Sequence, residues 1–344
     1  MAAAMRLLVT GGAGFIGSNF ARLAVGKGHD VVVLDKLTYA GNLENLRDLL
    51  DAGRVSFVRG DVCDASAVAG TIRGCDAVVH FAAETHVDRS ILEAGDFVRT
   101  DVLGTHVVLE AARREGVDRF LHISTDEVFG ESGSRPCRED APLNPKSPYA
   151  ASKAGADRLA YAYHATYGLP VVVTRCVNNY GPYQHPEKAV PLFAICALVG
   201  YSLPVYGSGR NRREWIHVED HCEALLALLR KRGIEGQTFN VGTGERRSTI
   251  QIARAVVDAL GKPRSLIGRV ADRPGHVKSH AVDSGKLRRA GWRPRRPFGM
   301  GLPDAVRWFA DHVAWWRSTM LGPGRAYFSE RYTGLIPAVE AFTG

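Results

Sequence analysis

Two short clusters of polar residues carry the chemistry that this sequence can perform. Tyr149 and Lys153 are four residues apart, so on a helix both side chains lie on one face. An ammonium group one turn from a phenol favours the phenolate, and we therefore expect Tyr149 to take a proton from an alcohol near neutral pH. Asp126 and Glu127 add two adjacent carboxylates, which a reaction that only moves hydride does not need. Together the clusters predict oxidation of an alcohol followed by loss of water.

Strand and helix patterns alternate through the first half of the chain, and these elements must position the clusters. Apolar, β-branched runs predict strands over residues 5–10, 31–34, 55–58, 77–82, 120–123 and 171–175. Helical spacing is found between them over residues 18–26, 43–50, 101–114 and 152–166. Helices of this length between strands indicate βαβ crossovers, and hence an α/β fold with a doubly wound parallel sheet of the Rossmann type.

A glycine-rich loop follows the first predicted strand and opens the first predicted helix. In this loop Gly11 permits a tight turn, Gly14 lets the backbone approach a diphosphate, and Gly17 permits close packing of helix and strand. Asp35 ends the second strand, where a carboxylate can bind the adenosine ribose hydroxyls and repel the 2′-phosphate of NADP, so the predicted cofactor is NAD. Residues expected beside the cofactor follow the third and fourth strands: Asp61, Val62, Phe81, Ala82 and Ala83.

The pattern loosens in the second half, where several prolines interrupt it. Helices are predicted over 218–231 and 250–260, and three tryptophans mark an aromatic-rich helix near the end. We predict an NAD-binding domain over residues 1–177, to which about 213–242 return, and a smaller α/β substrate lobe over 178–334. No low-complexity linker separates them, so we expect a packed cleft between the two.

Composition limits the class of protein further. The 344 residues are 45% hydrophobic with no apolar run long enough to span a membrane, and the start is interpreted as a strand with a small leader rather than a signal peptide. A net charge of +8 suits an enzyme whose cofactor and substrate both carry a diphosphate, and no nucleic-acid-binding motif accompanies it. The six scattered cysteines form no Cys-x-x-Cys pair, which predicts reduced thiols, no metal site and a cytoplasmic protein.

Further motifs extend beyond the glycine loop and the Tyr149/Lys153 pair. They are Glu84-Thr85-His86-Val87-Asp88-Arg89-Ser90-Ile91, Ser124-Thr125-Asp126-Glu127-Val128-Phe129-Gly130, Asn178-Asn179-Tyr180-Gly181-Pro182-Tyr183-Gln184 and Asp272-Arg273-Pro274-Gly275-His276. With them the chain resembles the extended short-chain dehydrogenase/reductases and, within these, the dTDP-glucose 4,6-dehydratases, from about residue 5 to about residue 332. Related epimerases and decarboxylases typically lack the Asp-Glu pair.

The resemblance implies dehydration of dTDP-glucose to dTDP-4-keto-6-deoxyglucose. The route is transient oxidation at C4, elimination of water across C5–C6 and return of hydride to C6, so that NAD is regenerated in each turnover and retained tightly. By the same resemblance, Tyr149 deprotonates the 4-hydroxyl, and Lys153 lowers the pKa of the phenol and holds the nicotinamide ribose.

The Ser124–Glu127 cluster receives the remaining implied roles. Thr125 hydrogen-bonds the reacting 4-oxygen, and Ser124 helps to position it. Glu127 removes the C5 proton as a base, while a protonated Asp126 donates to the departing 6-hydroxyl. One acid beside one base requires different pKa values, which burial and mutual repulsion can supply.

The binding residues are also implied by the resemblance. The cofactor contacts are Gly11, Gly14, Phe15, Ile16, Gly17, Asp35, Lys36, Thr38, Asp61, Val62, Phe81, Ala82, Ala83, Thr100, Ser124, Tyr149, Lys153 and Asn179. The substrate contacts are Thr85, Ser124, Thr125, Asn178, Glu187, Lys188, Pro204, Val205, Tyr206, Arg213, Asn240, Asp272 and His276. Among these, Arg213 is the candidate for a bidentate clamp on the diphosphate.

Some departures from the family pattern leave alternatives open. Asp101 replaces a usual Asn, Val177 replaces a small polar residue, and residues 277–280 differ beside the expected nucleotide pocket. The same reaction on a UDP-, CDP- or GDP-hexose, a 4-epimerase or decarboxylase, and a catalytically silent NAD-binding protein therefore remain alternatives. A homodimer paired through helices 101–114 and 152–166 is implied, and the downstream pathway, rhamnose or another deoxysugar, is left open.

Overall fold

The structure is a computed structural model that describes residues 4–133, 135–272 and 276–343. The strands are β1 (Arg6–Thr10), β2 (Asp30–Asp35), β3 (Ser56–Arg59), β4 (Ala77–His80), β5 (Arg119–Thr125), β6 (Val171–Cys176), β7 (Asn178–Tyr180), β8 (Leu203–Tyr206), β9 (Arg212–His217), β10 (Thr238–Val241), β11 (Arg246–Ser248) and β12 (Ile267–Val270).

The α-helices connect and cover these strands. They are α1 (Phe15–Gly26), α2 (Arg47–Asp51), α3 (Ala65–Ile72), α4 (Val87–Leu92), α5 (Ala94–Phe97), α6 (Thr105–Glu115), α7 (Pro148–Tyr167), α8 (Ala189–Leu198), α9 (Val218–Arg230), α10 (Thr249–Ala259), α11 (Gly285–Arg289), α12 (Phe298–Asp311), α13 (Val313–Leu321), α14 (Arg325–Arg331) and α15 (Leu335–Ala341). Short 3-10 turns lie at Leu43–Asn45, Asp126–Phe129 and Arg264–Leu266, and a π-helical segment at Val98–Gly104.

A seven-stranded parallel sheet forms the centre, in the order β10-β6-β5-β4-β1-β2-β3. Side chains alternate between its faces, so Leu7 and Val9 of β1 pack into the apolar cluster that contains α1 and α9, whereas Leu8 packs into the one that contains α3 and α6. Both faces are therefore covered by helices, as continuous apolar strands require. The predicted doubly wound α/β fold is confirmed.

The helices around the two chemical clusters begin earlier than predicted. Helix α7 starts at Pro148, after the Ser147 hydroxyl accepts a hydrogen bond from the Ala150 N–H, so Tyr149 lies in its first turn. The helix predicted over 101–114 is instead a π-helical segment followed by α6. Periodicity cannot distinguish one widened turn from α-helix, because the apolar spacing changes by a single residue.

The second half of the chain builds two small sheets and returns to the central one. Strands β11, β9 and β7 form one small sheet and β12 and β8 the other, around an apolar cluster that includes residues of α8, α10 and α12. Strand β10 pairs in parallel with β6, at the edge of the central sheet. Residues 213–242 were predicted to return to the NAD-binding domain. Of these, α9 and β10 pack with the central sheet, whereas β9 belongs to the small three-stranded sheet. The domain boundary at residue 177 stays a prediction.

Within residues 4–133, 135–272 and 276–343, no helix has the length and apolar content needed to cross a bilayer.

Candidate active site

A cavity of about 430 Å³ lies at the carboxyl ends of the central strands and extends to β8 and β9. In open parallel sheets ligands bind at this edge, because the loops after the strands converge there. The glycine loop, the Asp126-Glu127 cluster, Arg213 and Tyr206 all line this one cavity. Both lobes therefore contribute to one site.

The glycine loop leaves room for a ligand against the start of α1. Gly11 has φ of +68°, and a Cβ atom there would lie 2.7 Å from the Ala82 nitrogen, so a larger residue does not fit. A Cβ atom at Gly17 would overlap the Gly11 carbonyl oxygen. Helix α1 has no side-chain cap and no acidic residue in its first turn. Its first N–H groups are therefore available to a diphosphate.

Asp35 and its neighbours define the adenosine end of the cavity. The Asp35 carboxylate accepts hydrogen bonds from the Ala13 N–H at 2.9 Å and the Leu37 N–H at 2.8 Å, and burial raises its pKa. Lys36 and Asp61 form an ion pair of 2.8 Å beside it. A carboxylate held at the end of β2 fits the ribose hydroxyls of a dinucleotide.

The predicted cofactor residues lie together. All eighteen of them line the cavity, from Gly11 in the loop to Asn179 on β7. The glycine cradle, the uncapped helix and the held carboxylate fit an NAD molecule along this wall. In the part of the chain that the structure describes, no group of three or more His, Cys, Asp or Glu side chains could hold a metal ion.

Asp126 and Glu127 follow the end of β5 in a 3-10 turn. The Thr125 hydroxyl accepts from the Glu127 N–H at 3.3 Å and donates to Asp126 Oδ1 at 3.4 Å. Asp126 is only 2% exposed, and its Oδ2 has no hydrogen-bond partner among the described residues. Burial, and then the charge of Glu127, raise the pKa of Asp126 well above its ordinary value. Burial thus favours the protonated form of Asp126, next to the more exposed Glu127.

Tyr149 and Lys153 share one face of α7, as the spacing predicts, and burial acts on the pKa of each side chain. The Lys153 ammonium donates to the Ile123 carbonyl oxygen at 2.7 Å, and burial lowers its pKa. Burial and the charge of Glu127 raise the pKa of Tyr149 well above its ordinary value. Desolvation thus opposes the phenolate, and the expectation that Lys153 favours it stays a prediction.

Charged and aromatic groups from the second half of the chain also line the cavity. Arg213 is buried on β9, and its charge acts on Asp126. The Lys188 ammonium donates to the Thr85 hydroxyl at 3.2 Å, joining the two lobes. The hydroxyl of Tyr206 accepts from Arg331 Nη2 at 2.8 Å. Cations and an anchored aromatic ring are the groups that bind a diphosphate and a nucleobase.

An arginine joins three parts of the chain beside the cavity. The Arg89 guanidinium lies 3.6 Å from the centre of the Tyr39 ring and 4.4 Å from that of Tyr327. It also forms a 3.0 Å ion pair with Glu187, whose side chain is fully buried. Tyr39 follows β2, Arg89 is on α4, Glu187 precedes α8 and Tyr327 is on α14, so this contact connects the cofactor wall to the C-terminal helices.

Comparisons with known proteins agree with this geometry. The family model described as GDP-mannose 4,6 dehydratase matches residues 8–305. A dTDP-glucose 4,6-dehydratase from Streptomyces niveus is 49% identical over 91% of this chain and 95% of its own length. The chain belongs to the dTDP-glucose 4,6-dehydratase family.

Solved structures extend the likeness to three dimensions. The dTDP-glucose 4,6-dehydratase DesIV from Streptomyces venezuelae, with NAD and dTDP bound, is 48% identical and superposes with a TM-score of 0.89 over 92% of this chain and all of its own. A UDP-glucose 4-epimerase from Thermus thermophilus, in complex with NAD, is 34% identical with a TM-score of 0.83 over 90% of this chain and all of its own. The dehydratase family therefore shares its scaffold with epimerases.

Three residues predicted for the substrate do not line the cavity in this family member. Val205 is fully buried in the core of the second lobe. Asn240 is fully buried on β10, where its amide donates to the carbonyls of Cys137 at 3.0 Å and Asp283 at 3.2 Å. Both side chains point into packed protein, and the substrate contacts of Val205 and Asn240 stay predictions.

Asp272 also lies off the cavity wall, but it contacts a residue that lines it. Its carboxylate accepts from His276 Nδ1 at 2.7 Å, and His276 lines the cavity near Tyr206. Asp272 thus holds the His276 ring at the cavity, and the substrate contact predicted for Asp272 stays a prediction. The intervening Arg273, Pro274 and Gly275 of the predicted motif lie outside the described residues.

The structure adds residues that the motifs did not assign. Glu84, His86, Asp88, His185 and Tyr332 line the cavity. The first three belong to the motif of residues 84–91, in which a role was assigned only to Thr85. That motif was the sequence signal that could have identified them. Tyr332 is brought to the cavity by the C-terminal helices, and no local pattern marks it.

Proposed function

We propose that this protein converts dTDP-glucose to dTDP-4-keto-6-deoxyglucose and water, as an NAD-dependent hydro-lyase. The observation that carries the proposal is the placement of Asp126, a buried carboxyl group with a strongly raised pKa, beside Glu127 in the cavity that Tyr149 also lines. Oxidation and elimination need these three groups together: a base for the alcohol, a base for carbon and an acid for the leaving hydroxyl.

The first step is removal of the 4-hydroxyl proton by Tyr149. NAD, held by the glycine loop and Asp35, would supply the acceptor for the C4 hydride, the donor of that hydride to C6 and the positive charge of an oxidised nicotinamide ring. Because burial raises the pKa of the phenol, that charge and the Lys153 ammonium are both needed to hold the phenolate. Thr125 and Ser124 line the cavity here and bind the reacting oxygen.

Elimination follows from the acidity that the new 4-ketone gives to C5. Glu127 removes the C5 proton, the C6–O bond breaks, and Asp126 protonates the departing hydroxyl to water. When C6 has received hydride, Glu127 returns a proton to C5. Over one turnover Tyr149 has gained a proton and Asp126 has lost one, so the site is reset when one proton passes between them, directly or through water.

Substrate binding is assigned to the second lobe. Arg213 binds the diphosphate in a bidentate manner, because its guanidinium is planar and buried beside the reacting groups. Tyr206 stacks on the base, with its hydroxyl anchored by Arg331. Pro204, His276 and Asn178 complete the wall, and Lys188 lies beside Thr85 at the lobe junction.

The deciding experiment compares sugar nucleotides without added NAD. Purified protein is incubated separately with dTDP-, UDP-, CDP- and GDP-glucose, and mass spectrometry follows the loss of one water. We expect loss from dTDP-glucose at the highest rate, with NAD released only after denaturation. Faster loss from another nucleotide would reassign the base specificity to the altered residues 277–280. Isomerisation without loss of water would support the epimerase alternative.

We further propose a cytoplasmic homodimer. All six cysteines are free, as a reducing compartment allows. Large apolar side chains are exposed along α4, the π-helical segment and α7: Ile91, Leu92, Val98, Leu103, Tyr161 and Tyr167. Such a patch is typical of an interface, and a two-fold axis would bury it against its own copy. Light scattering should give twice the mass of one chain, and a monomer would contradict the proposal.

A further inference from the structure

The buried carboxylate of Asp101 lies against helix α7, which carries Tyr149 and Lys153, and has no role in the reaction described above. Asp101 is 1% exposed, in the π-helical segment between α5 and α6. The widened turn of a π-helix displaces one residue from the helical ladder, and such segments are frequent at functional sites. Here Asp101 points into the interior towards α7.

Two hydrogen bonds fix this carboxylate between the cofactor wall and α7. Asp101 Oδ1 accepts from the Glu84 N–H at 2.8 Å, and Oδ2 accepts from the Ser152 hydroxyl at 2.5 Å. The Ser152 hydroxyl also contacts the Tyr149 carbonyl oxygen at 2.8 Å. Ser152 is adjacent to Lys153, so Asp101 is held against the turn of α7 that carries both catalytic residues.

Several charged groups surround Asp101 and Lys153. The charge of Lys153 on α7 and the backbone N–H of Glu84 both act on Asp101. The Glu84 side chain in turn faces Lys36, Arg89 and Asp96. Lys153 faces, besides Asp101, Cys176 of β6 and Asp157 of α7, and its charge reaches His80 and His122 in the sheet. Burial raises the pKa of Asp101 to about 6, so at pH 7 and above Asp101 is ionised. The charge of Asp101 opposes the loss of the Lys153 proton and also makes Tyr149 harder to ionise.

We propose that Asp101 is a positioning residue that sets the charge behind the catalytic pair: its carboxylate keeps Lys153 protonated and thereby sets the pH range of the reaction. The proposal rests on the function proposed above for Tyr149 and Lys153. It assigns the effect to the negative charge of Asp101, and not to its two hydrogen bonds.

The variant Asp101→Asn separates charge from shape. An asparagine of the same size can accept from the Glu84 N–H through its oxygen and donate to the Ser152 oxygen, while the Ser152 hydroxyl still donates to the Tyr149 carbonyl. The matched control is Ser152→Ala, which removes one hydrogen bond and leaves the charge. Above pH 8 Asp101 is ionised in the control as in the unchanged protein.

The first readout is the titration of Lys153 itself, followed by carbon NMR of ε-labelled lysine. The chain contains nine lysines, and Lys153→Arg assigns the signal. We expect Asp101→Asn to lower the pKa of Lys153 by about one unit, because the negative charge that acts on Lys153 is removed. Ser152→Ala should leave that pKa in place. Equal pKa values in Asp101→Asn and the unchanged protein, or an equal fall in both variants, would overturn the proposal.

The second readout is the pH profile of kcat/KM with dTDP-glucose. In Asp101→Asn both Tyr149 and Lys153 lose protons more readily, so the active range should move to lower pH by about one unit. A profile that does not move while the Lys153 titration does would refute the link to catalysis. If the unchanged protein dehydrates no sugar nucleotide, the proposed function fails, and the NMR titration still decides whether Asp101 holds the Lys153 proton.

Discussion

Asp126 and Glu127 are neighbours in the chain, yet only Asp126 is buried, with 2% of its surface exposed. Its Oδ2 atom has no hydrogen-bond partner among the described residues. Both side chains follow β5 in a 3-10 turn and line the cavity, but Asp126 is buried whereas Glu127 is partly exposed. This difference in burial supports the separate tasks of acid and base that we propose for the two carboxyl groups.

Replacing the acid should stop elimination and leave oxidation intact. In Asp126→Asn we expect the rate of water loss to fall by about a hundredfold to a thousandfold, because the departing hydroxyl lacks its proton donor. The absorbance of reduced nicotinamide should rise on mixing with dTDP-glucose and decay slowly. Asp140→Asn, an exposed carboxylate on the surface, is the matched control and should behave like the unchanged protein. Unaltered water loss in Asp126→Asn would assign the acid elsewhere.

Replacing the base should stop proton exchange at C5. Product formed in deuterated water should carry deuterium at C5, since Glu127 removes that proton and returns one from a group that exchanges with solvent. In Glu127→Gln both exchange and dehydration should fall by about two orders of magnitude or more, with reduced nicotinamide still formed. Mass spectrometry and NMR of the sugar measure the label. Full exchange in Glu127→Gln would identify another base.

The raised pKa of Asp126 also predicts how stability depends on pH. The pKa of such a carboxyl group is higher in the folded than in the unfolded protein, so the group stabilises the fold most when the pH lies below its ordinary pKa of 3.8. This stabilisation is lost as the pH rises towards the pKa of the folded protein. Asp126→Asn removes the dependence. The difference in Tm between Asp126→Asn and the unchanged protein should therefore grow in favour of the variant from pH 4 to pH 8. A constant difference would contradict the assigned burial.

The substrate clamp should appear in binding more than in chemistry. Arg213→Met removes a bidentate partner of the diphosphate, so we expect KM to rise by about ten- to a hundredfold with a smaller change in kcat. The neighbouring Arg212 is exposed on the same strand, and Arg212→Met is the matched control. Calorimetry of dTDP binding should show the same order. If both substitutions had equal effects, Arg213 would contribute only its positive charge to the surroundings of the substrate, and not a specific contact with the diphosphate.

The contact of Arg89 with Glu187 predicts a stability effect. In Arg89→Leu the fully buried Glu187 loses an ion-pair partner, which costs about 3 kcal/mol when a buried carboxylate is left without compensation. Arg307→Leu breaks an exposed pair with Asp304 and should cost less than about 1 kcal/mol. Urea unfolding of both variants measures the two values. Similar costs would mean that His86 and His185, which also approach Glu187, compensate the loss.

Residue type and spacing were sufficient for the parts of this protein that depend on local geometry. The glycine loop, Asp35 at the end of β2 and the shared face of Tyr149 and Lys153 follow from backbone sterics and helical period, which act over a few residues. The alternation of strands and helices likewise determined the doubly wound sheet, because βαβ units have few ways to pack.

Only the tertiary structure decided the electrostatics and the membership of the site. Desolvation of Tyr149 and Asp126 arises from distant segments that pack around them, so a spacing of four residues could not reveal the raised pKa of Tyr149. Asn240 is excluded from the cavity by the return of β10 to the central sheet, and Asp101 is brought behind Lys153 by one π-helical turn. Such effects depend on which surfaces exclude water, a property of the packed chain and not of any short stretch of it.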